Sequence, residues 1–404
     1  MTLRVALLSM MEPAHAGLDR PRAYLRLGGT TLARHQLSLA LAAGCERIAC
    51  LARALDPELV ELQHEAERAG ARFHMISGGR ALSGLVTASD EVLVLAEGVV
   101  PSSDDTLNLI SQAQTILVLP ADTAVPAGFE RIDINHAAAG VMLIPGRLVE
   151  RLNDLPSDVE PVSALLRIAL QAGVSQRLVP QAVSASGRWL LVRDEDQAHA
   201  AEDHWMERQT AGLGRSPGLG LAAWIARRYG PALLHAGSGP RTLMLFAIAL
   251  LALAGGAAWF DWAGIGLLLC VPAWILHRTA AIIAGVRREA LGGEVDWLSR
   301  PGPFGWLLDA AIVALLVVAM PHLPGEPLWQ RALMPLVLIG LLRLLARVMK
   351  WRFSPWLEDR ALLCLVAGGL AFSTYLPVAI AMVILALLTA GIGLPDDSDG
   401  ITRA

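Results

Sequence analysis

The uneven distribution of apolar residues divides this chain of 404 residues into two halves of different kinds. Up to about Arg215, charged and apolar residues are mixed as in a soluble domain, whereas from Arg241 onward Leu, Ala, Ile, Val and Gly dominate. A helix that crosses a membrane needs about 20 mostly apolar residues. The sequence therefore predicts a soluble first half and a membrane-embedded second half.

Six apolar segments of the second half are candidate membrane spans, of which the third and the fifth are the weakest. They cover residues 242–260, 263–286, 306–320, 329–348, 361–372 and 375–394. Most basic residues of the connections follow the second and fourth segments: Arg287, Arg288, Arg300, Arg347, Lys350 and Arg352. Because basic loops stay on the cytoplasmic side, we predict an inner (cytoplasmic) membrane protein with six spans and both termini in the cytoplasm.

The first half alternates short apolar runs with helical patterns. Asp56 and Pro57 are suited to begin one helix, and Thr30 and Thr31 to cap another. Strands that alternate with helices are typical of an α/β fold with a doubly wound parallel sheet. The candidate strands cover residues 3–9, 48–51, 72–76, 91–95, 115–119, 140–145 and 189–193, the last of which we expect to close the sheet.

These patterns predict four regions along the chain. They are an α/β domain (1–200), a linker with a juxtamembrane helix (201–240), an all-α six-helix transmembrane domain (241–395) and an acidic tail (396–404). A formal charge of -4, with no basic run, excludes nucleic acid as a partner. The four cysteines have no C-x-x-C spacing, so we interpret them as reduced packing residues.

Ligands of doubly wound sheets bind beyond the carboxyl ends of the strands. The corresponding loops follow Ser9, Leu95 and Leu119, and their charged residues are Arg20, Arg22, Glu97 and Asp122. Two interpretations stay open from the residues alone. In the first, these four residues are solvated loop residues, with Asp122 as a helix cap. In the second, they form a weak site for a nucleotide or a sugar phosphate.

A resemblance to the sugar-phosphate nucleotidyltransferases covers roughly residues 3–179. It rests on RPRAYLRLGGTTLARHQL, which resembles that family's P-K-x-L-x-x-x-G segment, and on VLAEGVVP, which resembles its metal-site strand end. The resemblance implies that Gly17 is the glycine that is left of a glycine-rich phosphate loop. The same resemblance implies that Arg22 takes the place of the lysine in the family's P-K segment. It also implies Mg²⁺ as a cofactor of the soluble domain, with Glu97 at the position of the metal-binding aspartate.

The second half resembles the CDP-alcohol phosphatidyltransferases, whose aspartates on two helices hold two metal ions. Gly305 and Asp309 match that family's G-x3-D, and Arg287 matches its conserved arginine. Three further aspartate positions fall on Thr279, Ile282 and Val313. A lone Asp309 is typical of a solvated or capping residue, so we predict that this half does not transfer a phospho-alcohol.

The domain order is similar to that of bifunctional inositol-phosphate cytidylyltransferase and CDP-inositol phosphotransferase proteins. One hypothesis is a membrane-anchored nucleotidyltransferase-like protein of phospholipid head-group or sugar/polyol-phosphate metabolism, with an inactive membrane half. A second is a non-catalytic membrane protein that binds a phospho-sugar, nucleotide or lipid head group, or that partners an active paralogue. A third is a transporter-like domain with a regulatory domain. The expected partners are membrane lipids, a nucleotide or a sugar or polyol phosphate, and a second copy of the chain in a homodimer.

Overall fold

The computed structural model describes residues 3–14, 20–111, 113–156, 159–211, 213, 216–235, 239–291, 301–321, 327–348 and 354–392. The chain forms two compact units. The first unit comprises Met1–Trp205 with Val286–Glu294, and the second Met206–Gly285 with Val295–Ala404. The predicted site residue Gly17 and the predicted tail 396–404 lie outside the described residues.

Short strands follow one another through the first unit at nearly all the predicted positions. Within the described residues they are β1 (Arg4–Ser9), β2 (Arg26–Leu27), β3 (Thr30–Thr31), β4 (Arg47–Leu51), β5 (Arg72–Ile76), β6 (Glu91–Leu95), β7 (Val99–Pro101), β8 (Thr115–Pro120), β9 (His136–Pro145), β10 (Ser175–Leu178) and β11 (Trp189–Leu191). The apolar runs in the sequence thus located the main strands correctly.

The main sheet is mixed, not fully parallel as predicted. Its strand order over the described residues is β10-β8-β9-β6-β1-β4-β5. Strand β9 runs antiparallel to both β6 and β8, whereas the other pairs are parallel. Apolar periodicity shows that a strand is buried but does not encode its direction, which is why the prediction was wrong at β9. Strand β11 pairs with β7 in a separate ribbon, so it does not close the main sheet.

The helices of the first unit begin where the sequence provides caps. The Asp56 side chain accepts a hydrogen bond from the Leu59 amide at 2.8 Å, and Thr31 caps the first helix. The helices are α1 (Leu32–Ala42), α2 (Pro57–Arg68), α3 (Gly79–Ser83), α4 (Ser103–Ile110), α5 (Ala121–Ala124), α6 (Pro161–Gln171), α7 (Gln181–Ala185) and α8 (Glu195–Thr210, which ends past the limit of this unit). Two 3₁₀ helices cover Arg22–Tyr24 and Gly146–Asp154. The predicted boundary at residue 200 falls inside α8.

Both faces of the sheet are covered, because successive side chains of a strand point to opposite faces and both sets are buried here. In β1, Ala6 and Leu8 belong to one buried cluster, and Val5 and Leu7 to the other. Burying a side chain of leucine size contributes about 1.5–3 kcal/mol. The two clusters therefore hold β1 at the centre of the unit and fix the loop that follows Ser9.

The second unit is helical in its described residues. Its helices are α9 (Pro217–His235), α10 (Gly239–Trp259), α11 (Ala263–Leu291, which ends past the limit of this unit), α12 (Pro301–Ala319), α13 (Leu328–Val348), α14 (Ser354–Glu358), α15 (Arg360–Leu370) and α16 (Leu376–Ile392). Within the described residues, four helices are long and apolar enough to cross a membrane, namely α10 to α13. With 11 and 17 residues, α15 and α16 are shorter.

Candidate functional site

A cavity of about 280 Å³ lies where the loops after β1 and β6 meet the face of the sheet that carries α6. Strand residues such as Val94 and Ile116 form its apolar wall. Its charged and hydroxyl-bearing side chains are Ser9, Glu12, Arg22, Glu97, Glu130, Glu160, Ser163 and Arg193. The cavity therefore lies next to the carboxyl ends of β1 and β6, where ligands of α/β sheets bind.

Glu97 is the centre of the hydrogen-bond network beside this cavity. It is only 5% exposed. Its Oε2 accepts hydrogen bonds from the Ser9 hydroxyl at 3.1 Å, the Met11 amide at 2.7 Å and the Glu12 amide at 2.9 Å. Its Oε1 accepts one from the Ala23 amide at 3.2 Å. Glu97 thus organises the loop after β1. Its burial rules out the interpretation of Glu97 as a solvated loop residue.

The segment that carries Glu97 is itself held in place by helix α1. The Gln36 side chain donates from Nε2 to the carbonyl oxygens of Ala96 at 2.7 Å and Val99 at 2.9 Å. Gln36 is buried, so its amide has no competing contact with bulk water. The loop after β6 is thereby fixed at both sides of Glu97.

Burial raises the pKa of the Glu97 carboxyl to about 7, although the amides of Glu12, Met11 and Ala23 act in the opposite direction. Desolvation disfavours a charged carboxylate, whereas N–H donors favour it. The charge of Glu97 therefore changes near neutral pH. Below that range, the cavity wall carries one negative charge fewer.

Arg22 reaches the cavity from the 3₁₀ helix after the first loop. Its Nη1 pairs with Glu12 at 2.6 Å, and its side chain is 16% exposed. Its Nε is buried and has no hydrogen-bond partner within the described residues. An unpartnered buried donor of a permanently charged group is costly unless a ligand accepts from it.

Arg193 faces the same cavity from the segment after β11. Its Nε is also buried without a hydrogen-bond partner in the described part of the chain, and no acid there pairs with it. The guanidinium lies directly over Gly128, where a Cβ would come within 2.5 Å of its carbon Cζ. Gly128 has a φ of +97°, so the chain uses a glycine both for its conformation and for the approach of Arg193.

The acids around the cavity are largely engaged by protein donors. Glu160 caps α6 by accepting from the amides of Val162 at 3.0 Å and Ser163 at 2.6 Å. Glu130 lies near Arg167, with 3.9 Å between the charged atoms. Of the two arginines of this cavity, Arg22 pairs with Glu12, whereas Arg193 has no acidic partner among the residues described.

The structure brings only part of the predicted site together. Arg22 and Glu97 line one cavity, whereas Arg20 is exposed, donates to the Tyr24 carbonyl oxygen at 3.1 Å and does not line it. Asp122 is exposed in α5, and its Oδ1 accepts from the Thr123 amide at 2.8 Å, away from this cavity. Sequence reasoning missed Arg193. The signal was a basic residue directly after the apolar strand WLLV.

The residues of the cavity do not fit the predicted Mg²⁺ site. Both oxygens of Glu97 already accept hydrogen bonds from the protein. Among the residues that the structure describes, no group of three or more His, Cys, Asp or Glu side chains is arranged to hold a metal ion. Magnesium at Glu97 therefore has no supporting ligand set there.

A second cavity, of about 230 Å³, lies among the helices of the second unit. Asp309 is at its wall and is only 5% exposed. The prediction of a solvated or capping Asp309 was wrong, because the residue lies inside α12 and two arginines cover it. Gly305, one helical turn earlier, also lines the cavity. The side chain of Arg287, the third residue of the predicted motif, lies outside the described part of the structure.

Two guanidinium groups enclose the Asp309 carboxylate. Arg343 donates from Nε to Oδ2 at 2.5 Å. Arg360 donates from Nε to Oδ1 at 2.8 Å and from Nη2 to Oδ2 at 3.3 Å. The Arg343 guanidinium also stacks on the Trp306 ring, 3.5 Å from its centroid. Both carboxylate oxygens are thus used by the protein.

The comparisons with known proteins concern the first half of the chain. The UDP-glucose pyrophosphorylase from Acinetobacter baumanii is 14% identical, with a TM-score of 0.39, over 51% of this chain and 94% of that one. The inositol-1-phosphate CTP transferase from T. maritima is 12% identical, with a TM-score of 0.37, over 49% and 92%. No protein-family model and no curated protein matches the chain. At identities and TM-scores this low, function rests on the two cavities.

Proposed function

We propose that the first unit binds a phosphorylated small molecule, either a nucleotide or a sugar or polyol phosphate, and that the helical second unit anchors it in a membrane. The observation that carries this proposal is the pair of guanidinium groups of Arg22 and Arg193. Both line one cavity, and each has a buried Nε without an acceptor in the described part of the chain. A phosphate supplies several strong acceptor oxygens to such a pair.

The size of the cavity favours the smaller members of this ligand class. About 280 Å³ is at the lower end of the volumes of small-molecule sites. A sugar or polyol phosphate fits within it, whereas a nucleotide would extend into solvent. On the wall, the Ser163 hydroxyl donates to Glu130 at 3.4 Å, and a ligand hydroxyl group would replace this long bond.

Binding is favoured over nucleotidyl transfer by the state of the first loop. The amides of Met11 and Glu12, which follow β1, already donate to Glu97. In a nucleotidyltransferase, backbone amides of this loop would have to approach a triphosphate. Nucleotidyl transfer is therefore the second candidate function, and it would require Glu97 to release these amides.

Replacing Arg193 with glutamine is expected to weaken binding of the phosphorylated ligand about tenfold, the scale of a charge-assisted hydrogen bond. The full-length protein would be titrated calorimetrically with sugar phosphates, polyol phosphates and nucleotides at concentrations up to the millimolar range. Arg80→Gln removes an exposed arginine outside the cavity and is the matched control. Failure of every compound to bind would refute the proposed site.

The apolar surface of the second unit supports its membrane location. Phe246 in α10 is 60% exposed and Met382 in α16 is 61% exposed. Large exposed apolar side chains that recur along several helices are expected where lipid, not water, surrounds a protein. We extend the four long helices to six spans by including α15 and α16, with both termini in the cytoplasm.

A topology of six spans and one of four spans differ in the side of the membrane on which the turn between α15 and α16 lies. With six spans, a single cysteine at Ser373 is expected to react with a membrane-impermeant maleimide from the periplasmic side. Asp261→Cys, in the turn between α10 and α11, is the control for that side, and Ser89→Cys in the first unit is the cytoplasmic control. The four buried natural cysteines would be replaced with alanine. Labelling of residue 373 from the cytoplasmic side would leave only four spans.

A further inference from the structure

The charged residues of the second cavity lie on several helices. Asp309 is the ninth of the 19 residues of α12, and Arg278 lies inside α11. Arg343 lies five residues before the end of α13, and Arg360 is the first residue of α15. In the proposed six-span topology the cavity therefore lies in the cytoplasmic half of the spans, from which long arginine side chains reach toward the membrane surface.

The cavity has more positive than negative charge. Three arginines, at 278, 343 and 360, face two carboxylates, Asp309 and Glu358, so one positive charge is in excess. Ionisable residues within membrane segments are costly and usually mark a functional site. An anion on the cavity side would compensate the excess charge.

Arg278 and His277 have hydrogen-bonding capacity to spare. Arg278 donates to Glu358 at 3.3 Å and lies 5.6 Å from the centroid of the Trp274 ring. A guanidinium carries five N–H groups, so a single such bond leaves donors for a ligand. The His277 Nδ1 is buried without a hydrogen-bond partner in the described part of the chain, and this residue is only 3% exposed.

The metal ions implied by the family resemblance do not fit this arrangement. Of the implied aspartate positions, only Asp309 carries an acid, and guanidinium groups occupy both of its oxygens. Thr279 donates its hydroxyl to the Ile275 carbonyl oxygen at 2.9 Å, and Ile282 is buried and apolar. A divalent cation would meet two fixed positive charges at this site, which repel it.

We propose that this cavity is a metal-independent binding site for a phosphate ester, in which Arg278, Arg343 and Arg360 perform the anion-binding role of metal ions. Asp309 acts as a positioning residue that orients Arg343 and Arg360. The same chemistry would be supplied by the phosphate of a lipid head group or by a free phosphate compound. This site is separate from the one proposed for the first unit.

The test uses the full-length protein in a maltoside detergent with EDTA and without phosphate buffer. All samples carry Arg193→Gln, so that the cavity of the first unit contributes as little as possible to binding. One arm measures binding of inorganic phosphate, and the other measures binding of a short-chain phosphatidic acid. Tighter binding of phosphatidic acid identifies a lipid head group as the occupant, and tighter binding of phosphate identifies a free compound.

Arg278→Gln is expected to weaken binding of whichever probe binds more tightly by about tenfold. Arg331→Gln, on α13 but outside the cavity, is expected to leave binding unchanged. Asp309→Asn keeps one oxygen that accepts from the Arg343 and Arg360 guanidinium groups and removes the negative charge that offsets their positive charge. This variant is therefore expected to bind phosphate more tightly, whereas a metal-dependent site would lose its binding. If Asp309→Asn does not fold, the affinity of Arg278→Gln still shows whether this cavity binds the probe.

Three results would overturn the inference. They are no binding of either probe in EDTA, binding that Arg278→Gln leaves unchanged, and binding that requires added magnesium or manganese. A negative binding result for the first unit would not affect these results, because binding of both probes is measured in protein that carries Arg193→Gln. The two proposals are therefore tested separately.

Discussion

Replacing Glu97 with alanine is expected to lower the free energy of unfolding of the first unit by about 3 kcal/mol or more near pH 5.5. The change leaves the Ser9 hydroxyl and the amides of Met11, Glu12 and Ala23 without their acceptor. Each buried donor that loses its partner costs about 1–3 kcal/mol. Water entering from the adjacent cavity offsets part of this loss, so the total stays below the sum.

The effect should depend on pH in a defined direction. The pKa of Glu97 is about 7 in the folded protein and 4.5 ordinarily, so protonation stabilises the folded state. This contribution is complete below pH 4.5 and is lost as the pH rises to about 7, up to about 3 kcal/mol in total. The difference in stability between the wild type and Glu97→Ala should therefore shrink between pH 5.5 and 8.

Thermal unfolding in detergent, with hydrogen–deuterium exchange of the peptide over residues 9–14, measures this prediction. The exchange of the Met11 and Glu12 amides should accelerate because both lose their acceptor. Glu130→Ala removes another carboxylate of the same cavity, one that is 45% exposed, and is the matched control. A difference in stability that grows with pH would show that the amides, and not burial, dominate the energetics of Glu97.

The sequence predicted the elements of the first unit better than their arrangement. Apolar runs located β1, β4, β5 and β6, and Asp56 with Pro57 marked the start of α2 correctly. The direction of β9 was not predictable, because the apolar pattern of this ten-residue, mostly buried strand carries no information on whether it runs parallel or antiparallel to its neighbours. Local patterns thus gave positions, whereas direction depends on the connections between strands.

The sites were only partly predictable because their residues meet from distant parts of the chain. Glu97 was found from its place after β6, but its contacts with the loop after β1 span 85 or more residues for Met11 and Glu12. Asp309 was found from a motif, whereas its partners lie 34 and 51 residues further on. No spacing rule connects such residues, so their pairing had to come from the fold.

Gly98→Ala is expected to destabilise the first unit by about 2–5 kcal/mol. Gly98 has a φ of +83°, a conformation that costs a residue with a Cβ about 1–2 kcal/mol. Its new Cβ would lie 2.5 Å from the Val192 carbonyl oxygen and 2.6 Å from the Arg22 Cδ. Overpacking of this kind costs a further 1–3 kcal/mol or so, because the Val192 backbone cannot rotate away.

Gly70→Ala separates the two contributions. Gly70 has a φ of +88°, but a Cβ there meets no atom within 4 Å, so this variant carries the conformational cost alone. The difference in unfolding free energy between the two variants therefore measures the contact of residue 98 with Val192 and Arg22. Equal destabilisation of the two variants would show that this contact relaxes at no cost.

The same pair of variants tests whether Gly98 shapes the ligand site. The Gly98 carbonyl oxygen accepts from the Val192 amide at 2.8 Å, next to Arg193, and the Gly98 α-carbon supports the stem of Arg22. A Cβ at residue 98 would push Arg22 and the Val192–Arg193 segment apart. Gly98→Ala protein that still folds at low temperature should therefore bind the phosphorylated ligand more weakly, whereas Gly70→Ala should bind it normally. Unchanged affinity in Gly98→Ala would mean that the two arginines do not act together on one ligand.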